Sequence, residues 1–168
     1  EQNDVLIINA AGNSGANVNP GMKKSYVTDE VEGKEIVSNF ITVGAVGSSY
    51  SQEHVASFSN FGSENVDVFA PGHKIWSSVP NEKYKYYSGT SMAAPNVSGV
   101  AAMVRSFFPK LKAHQVKKIL MDSGMPLYPS VKNPDSGSLV HPKTLSRSGK
   151  MVNLYNALIY ASNKSYKK

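Results

Sequence analysis

The sequence predicts an α/β fold. Short, β-branched apolar runs ended by glycine or proline read as buried strands. Longer stretches with apolar residues three and four apart follow them and read as helices. No internal repeat breaks the 168 residues, a length that suits one domain of packed strands and helices.

The elements follow in order. Residues 5–9 (Val-Leu-Ile-Ile-Asn) form a buried strand running into the turn Ala10-Ala11-Gly12-Asn13-Ser14-Gly15. Residues 14–39 have weak periodicity and many polar side chains, the pattern of a long loop. Residues 40–46 are a second buried strand, and residues 66–70 a third, stopped by Pro71-Gly72. Residues 75–79 and 83–87 flank Pro80-Asn81-Glu82 and read as a hairpin. Residues 91–108 form a helix rich in Ala, Val and Met, with Pro95 expected in its first turn and Pro109 stopping it. In residues 113–122, Val116, Ile119 and Leu120 face inward, Lys117 and Lys118 face solvent, and Gly124 ends the helix. Residues 125–150 read as another long loop. Residues 151–161 are a short helix, followed by a frayed lysine-rich tail.

Composition narrows the function classes. With 40% hydrophobic and 18% charged residues, the chain is neither disordered nor collagen-like. No apolar run approaches the roughly 18 residues of a membrane span. The absence of cysteine excludes disulfides, thiolate metal sites and a cysteine nucleophile. The net charge of +6 is scattered apart from Lys23-Lys24, Lys117-Lys118 and the tail, and no nucleic-acid-binding motif accompanies it. The chain opens on Glu1, so it is expected to be a processed product or a piece of something longer.

The stretch that carries chemistry is Ser88-Gly89-Thr90-Ser91-Met92-Ala93-Ala94-Pro95-Asn96-Val97-Ser98-Gly99. It sets a serine at the mouth of a small-residue helix, where unpaired N–H groups and the positive dipole end suit a nucleophile that generates an oxyanion. An ordinary helix cap at Thr90 or Ser91 is the plainer reading of position alone.

The wider string strongly resembles the nucleophile motif of the subtilisin-like serine proteases, the subtilases. Ala10-Ala11-Gly12-Asn13 resembles the family's oxyanion-asparagine segment. Ile41-Thr42-Val43-Gly44-Ala45-Val46 and Phe58-Ser59-Asn60-Phe61-Gly62 resemble the strand and turn that follow it. Val66-Asp67-Val68-Phe69-Ala70-Pro71-Gly72 and Gly149-Lys150-Met151-Val152-Asn153 complete the ordered series. The resemblance implies the C-terminal half of a three-layer fold, with a mostly parallel sheet flanked by helices and a small β-hairpin. It implies Ser91 as nucleophile, with the Ser91 N–H and the Asn13 side chain holding the oxyanion. By position, Ala11, Gly12 and Ser14 match the wall of the substrate pocket, and Tyr87 and Ser88 match the leaving-group side.

The family's triad runs Asp, then His, then Ser, which places the first two upstream of Glu1. His54, His73, His114 and His141 lack the family's histidine context and read as surface residues; Asp4 and Asp67 lack its aspartate context. Asn96 stands where the family usually has histidine. The usual Tyr-Pro-Ala segment is replaced around Ile36-Val37-Ser38-Asn39-Phe40, which blurs the pocket floor. The implied function is a serine endopeptidase, secreted or otherwise extracytoplasmic, this chain alone being an inactive half. The alternative is a non-catalytic, subtilase-derived binding or structural module. Expected partners are a protein or peptide substrate, the missing N-terminal half and, through the exposed sheet edge, a second copy of the chain. No cofactor is expected. Calcium is compatible with the resemblance, but the cluster Asp29, Glu30, Glu32 and Glu35 fits no loop motif and reads as solvated.

Overall fold

Seven consecutive buried residues, Phe40–Val46, form the strand around which the rest is built. The computed structural model describes residues 3–22, 27–32 and 34–164. Its strands are β1 (Ile7–Ala10), β2 (Glu30–Val31), β3 (Lys34–Glu35), β4 (Phe40–Val46), β5 (Val68–Pro71), β6 (Ile75–Val79), β7 (Lys83–Tyr87), β8 (Met125–Pro126), β9 (Val131–Lys132), β10 (Leu139–Val140) and β11 (Lys150–Met151). The helices are α1 (Thr90–Phe107), α2 (Ala113–Ser123) and α3 (Leu154–Asn163), with a 3-10 turn at Pro142–Thr144.

The central sheet has the order β1-β4-β5-β11-β8. Its first three pairings are parallel and only β11–β8 is antiparallel. Alternation along β4 and β5 sorts the core into two faces. Ile41, Val43, Ala45, Val68 and Ala70 pack on the helices with Val97, Val104, Val116, Ile119 and Leu120. Val46 and Phe69 face the other way, onto Val55, Phe61, Leu127, Val131 and Leu145. The α/β expectation holds, as does the hairpin, which forms over the expected residues.

In α1 the buried residues Thr90, Ala93, Val97, Ala101 and Val104 recur at three and four, giving the stripe that lies on β1, β4 and β5. At the start of α2, the Gln115 side chain accepts from the Lys112 N–H at 2.8 Å, and Asp4 Oδ1 accepts from the Ala113 N–H at 2.7 Å. Asn153 caps α3 by accepting from the Asn156 N–H at 2.9 Å.

Several expectations need correction. The first strand is not buried: β1 pairs with β4 alone, at the edge of the sheet, and Val5 and Ile7 are exposed. Apolar runs mark strands, but an edge strand keeps whatever solvent its missing neighbour leaves. The third strand is shifted to β5. Pro95 is the sixth residue of α1, not part of its first turn, and it removes the usual donor to the Ser91 carbonyl at an exposed position. The stretch 125–150 is not plain loop but carries β8 to β11 and the 3-10 turn.

Lys117 is the largest departure: it is 6% exposed, inside the protein. Its Nζ lies 2.6 Å from Glu35 Oε1 and 3.3 Å from Asp67 Oδ1. Arg147 Nη1 completes the cluster, 2.6 Å from Glu35 Oε2 and 3.8 Å from Asp67 Oδ1. A hydropathy pattern scores lysine as solvent-facing and cannot see two carboxylates arriving from β3 and from the residue just before β5. The acidic loop is thus not simply solvated, because Glu35 closes onto α2. Burial pushes the Asp67 carboxyl up, against the pull of Lys117 and the Thr42 N–H. Burial also raises Glu35, but Lys117 and Arg147 outweigh it and hold that carboxyl below its ordinary value.

Candidate active site

Ser91 is the second residue of α1, exposed at the helix mouth. Neither its hydroxyl nor its backbone N–H makes a hydrogen bond among the described residues. The first turn of a helix leaves such N–H groups free by construction, with the positive end of the dipole beside them.

Asn13 reaches this point from the turn after β1, at the carboxyl end of a parallel strand. Its Oδ1 accepts from the Thr90 N–H at 2.8 Å and from Thr90 Oγ1 at 2.9 Å. The amide oxygen is thereby committed, and the Nδ2 donor remains for something else. Thr90 Oγ1 also accepts from the Gly12 N–H at 3.0 Å, so one buried hydroxyl ties the turn to the helix in both directions. At Gly89, which precedes Thr90 at φ 157°, a Cβ would stand 3.2 Å from Asn13 Nδ2 and 3.5 Å from Met92 Sδ. A side chain there would crowd the approach to Ser91.

Asn60 holds the turn from behind. Its Oδ1 accepts from the N–H groups of Ser14 and Ala16, each at 3.0 Å, and its Nδ2 donates to the Ala11 carbonyl at 2.8 Å. Gly12 has φ 101°, and any Cβ there would overlap the Asn60 carboxamide. Ala11, Gly12, Asn13 and Ser14 therefore share one fixed turn against the start of α1. On the other flank, Ser88 Oγ accepts from the Lys74 N–H at 2.9 Å and lies 3.3 Å from His73 Nδ1. Tyr87 is exposed beside it. The His73 ring stands 6.1 Å from that of Phe58, at the edge of a cleft of about 430 Å³ that Lys132 and Asn133 also line.

The other histidines stay apart from Ser91. His114 and His141 are exposed, His141 accepting from the Lys143 N–H at 3.2 Å. His54 is not a surface residue: it is 3% exposed, edge-on to the Tyr50 ring, and its Nδ1 has no partner. Burial holds its imidazole below the ordinary pKa. Among the described residues no histidine or carboxylate bonds to Ser91, and no three His, Asp or Glu side chains converge to hold a metal ion. Glu35 and Asp67, the carboxylates that do converge, hold the Lys117 ammonium instead. Among the described residues no helix is long and apolar enough to cross a membrane.

Two residues of this site carry no functional signal in the sequence: Thr90 looks like a helix cap, and Asn60 is one position of a matching segment. Asn60 meets its partners across more than 40 positions, so no local period marks it.

A mainly parallel sheet flanked by helices is the architecture that the comparisons with known proteins find again. A family model described as the subtilase family matches residues 1–149. The chain belongs to the subtilase family. It is 36% identical over 116 residues to subtilisin DY of Bacillus licheniformis, a match covering 69% of this chain and 38% of that protein. The major intracellular serine protease of Bacillus subtilis (strain 168) is 41% identical over 106 residues, covering 63% of this chain and 30% of the relative. Among solved structures, the prenylagaramide maturation protease PagA superposes with a TM-score of 0.67 at 29% identity, covering 95% of this chain and 51% of that one. The chain thus spans about half of that structure and less of the curated relatives.

Proposed function

We propose that this chain is the nucleophile-bearing C-terminal part of a serine endopeptidase. The observation that carries the reading is the Asn13–Thr90 lock, which commits the amide oxygen and leaves an N–H₂ donor beside Ser91. In the proposed reaction Ser91 Oγ attacks the scissile carbonyl carbon, and a general base takes the hydroxyl proton. The Ser91 N–H and Asn13 Nδ2 receive the oxyanion. Collapse breaks the C–N bond, the proton passes to the leaving amine, and water then hydrolyses the acyl-enzyme. Ala11, Gly12 and Ser14 form one wall for the substrate, with Tyr87 and Ser88 on the leaving-group side. This chemistry uses no cofactor.

The base and its orienting carboxylate come from an N-terminal half of the same fold. The half-exposed β1, with Val5 and Ile7 uncovered, supports a docking face for that half. In its absence the same edge pairs with a second copy of the chain. By resemblance to secreted subtilisins rather than to the intracellular relative, the site of action in this proposal is extracytoplasmic.

The test is labelling of the full-length protein with a fluorophosphonate serine probe, alongside hydrolysis of a peptide substrate. Both are expected, and both vanish in Ser91→Ala. Asn13→Ala slows hydrolysis by about ten- to a hundredfold, the loss of one hydrogen bond to a charged oxygen. The 168-residue chain alone, lacking a base, labels far more slowly. Full labelling of Ser91→Ala would remove Ser91 as the nucleophile.

A further inference from the structure

β7 reads Lys83-Tyr84-Lys85-Tyr86-Tyr87, with all five residues exposed. Trp76, the sole tryptophan, stands opposite Tyr86 in the ribbon. Its ring centroid is 4.6 Å from that of Tyr86 and 6.0 Å from that of Tyr84. The register sorts the side chains by alternation: Trp76, Tyr84 and Tyr86 share one face, while Lys83, Lys85 and Tyr87 share the other. The ribbon has two strands only, and among the described residues β7 makes no backbone hydrogen bond outside it. β7 is therefore an open edge with a basic face and an aromatic face. Across residues 73–90 the only acidic residue is Glu82, at the turn.

Lysines on an edge strand ordinarily serve to repel other strands. Three large aromatic side chains left in water beside them do the opposite, since they gain by being covered. The combination turns away neutral and basic strands and suits one whose acidic and apolar residues alternate. Position adds a second constraint: β7 runs through Ser88 and Gly89 directly into α1 and Ser91.

Resting on the peptidase reading, we propose that the free edge of β7 binds an extended segment of the polypeptide substrate, on the leaving-group side, by strand addition. The segment alternates acidic with apolar residues. Its backbone pairs with the outward N–H and C=O groups of β7, about 4.8 Å away. Its acidic residues lie beside Lys83 and Lys85, and its apolar residues beside Tyr84 and Tyr86. Five residues of β7 give a strip of about 17 Å, enough to read roughly five substrate residues.

The experiment uses the full-length protein with Ser91→Ala, so that binding is measured without cleavage. Three labelled peptides are compared by fluorescence anisotropy: Glu-Leu-Glu-Phe-Glu, its charge-reversed form Lys-Leu-Lys-Phe-Lys, and the blocked Glu-Glu-Glu-Leu-Phe. The alternating acidic peptide is expected to bind about tenfold more tightly than either control, from several modest cross-strand pairs acting together. In Lys83→Glu/Lys85→Glu the advantage passes to the basic peptide. In Trp76→Ala/Tyr86→Ala it shrinks for both. With Ser91 restored, joining the alternating segment after the scissile bond of a short reporter raises kcat/KM by about tenfold, and joining it before the bond does not. Cleavage of the bare reporter tests the peptidase reading separately, since the binding series needs no catalysis. Equal binding of the blocked and alternating peptides would overturn the proposal. So would an unchanged preference in Lys83→Glu/Lys85→Glu, or an equal gain from the segment on either side of the bond.

Discussion

Replacing Lys117 by Met removes one charge from the interior while keeping most of the stem that packs there. The side chain is 7% exposed, and its ammonium is the nearest cation to Asp67, at 3.3 Å against 3.8 Å for Arg147. Asp67 Oδ1 has no hydrogen-bond partner, so this cation is what makes its ionised form tolerable. Breaking a buried pair from one side costs about 3–5 kcal/mol. Glu35 keeps 30% of its side chain in water and retains Arg147, so solvent absorbs part of the loss. We expect about 3 kcal/mol, a large share of the 5–15 kcal/mol typical of a domain. The loss depends on pH. In the variant the folded Asp67 carboxyl titrates still further above its unfolded value, so the native state holds a proton the unfolded state has released, and stability falls as pH rises through that window. Glu35 works in the same direction: its lowered folded pKa contributes stability that is present above its unfolded value and lost below the folded one, and the variant forfeits part of it. The deficit of Lys117→Met should therefore shrink on acidification. Urea unfolding followed by circular dichroism at about pH 7 and about pH 4 measures it, and adding Asp67→Asn should recover much of the loss at the higher pH. A deficit below about 1 kcal/mol, or one unchanged by pH and by Asp67→Asn, would refute the argument.

Three further outcomes are expected. Asn60→Ala removes three hydrogen bonds to the turn after β1; it should cost about 2 kcal/mol in urea unfolding and lower kcat/KM for peptide hydrolysis with kcat falling more than KM rises. His54, buried and held neutral, takes up a proton in the unfolded state first as pH falls, so stability should decline below about pH 6.5, and His54→Phe should flatten that slope in melting curves. Peroxide should reduce the activity of the full-length protein through Met92, whose sulfur lies beside Gly89, and Met92→Ala should keep its activity under the same treatment.

What was legible in the sequence was what depends on neighbours in the chain. The run at β4 gave its own boundaries, because strong β-branched continuity and full burial coincide there. The hairpin at β6 and β7 was marked by its turn residues. The Gly-Thr-Ser-Met-Ala string and Asn13 were legible through family resemblance. Hidden were the features decided by distant partners. Lys117 looks like half of an exposed lysine pair until Glu35 of β3 and Asp67, just before β5, bring carboxylates to it. His54 sits in a polar stretch yet is buried, with the Tyr50 ring edge-on to it and the Tyr50 hydroxyl tied in turn to the Leu127 carbonyl. Thr90 resembles any helix cap, and its hydroxyl becomes a bridge only when Gly12 and Asn13 arrive from 78 and 77 positions away.

That bridge makes timing a property of the site. The serine belongs to a helix and its donor to a turn after an edge strand, and one hydroxyl joins them. A helix docked one residue out of register would be displaced by about 1.5 Å along its axis, enough to part Thr90 from both partners. A chain still searching for its fold then carries a harmless alcohol among many others. On the proposed peptidase reading, Ser91 can act only once this closure of helix on sheet has been made, whatever supplies the base.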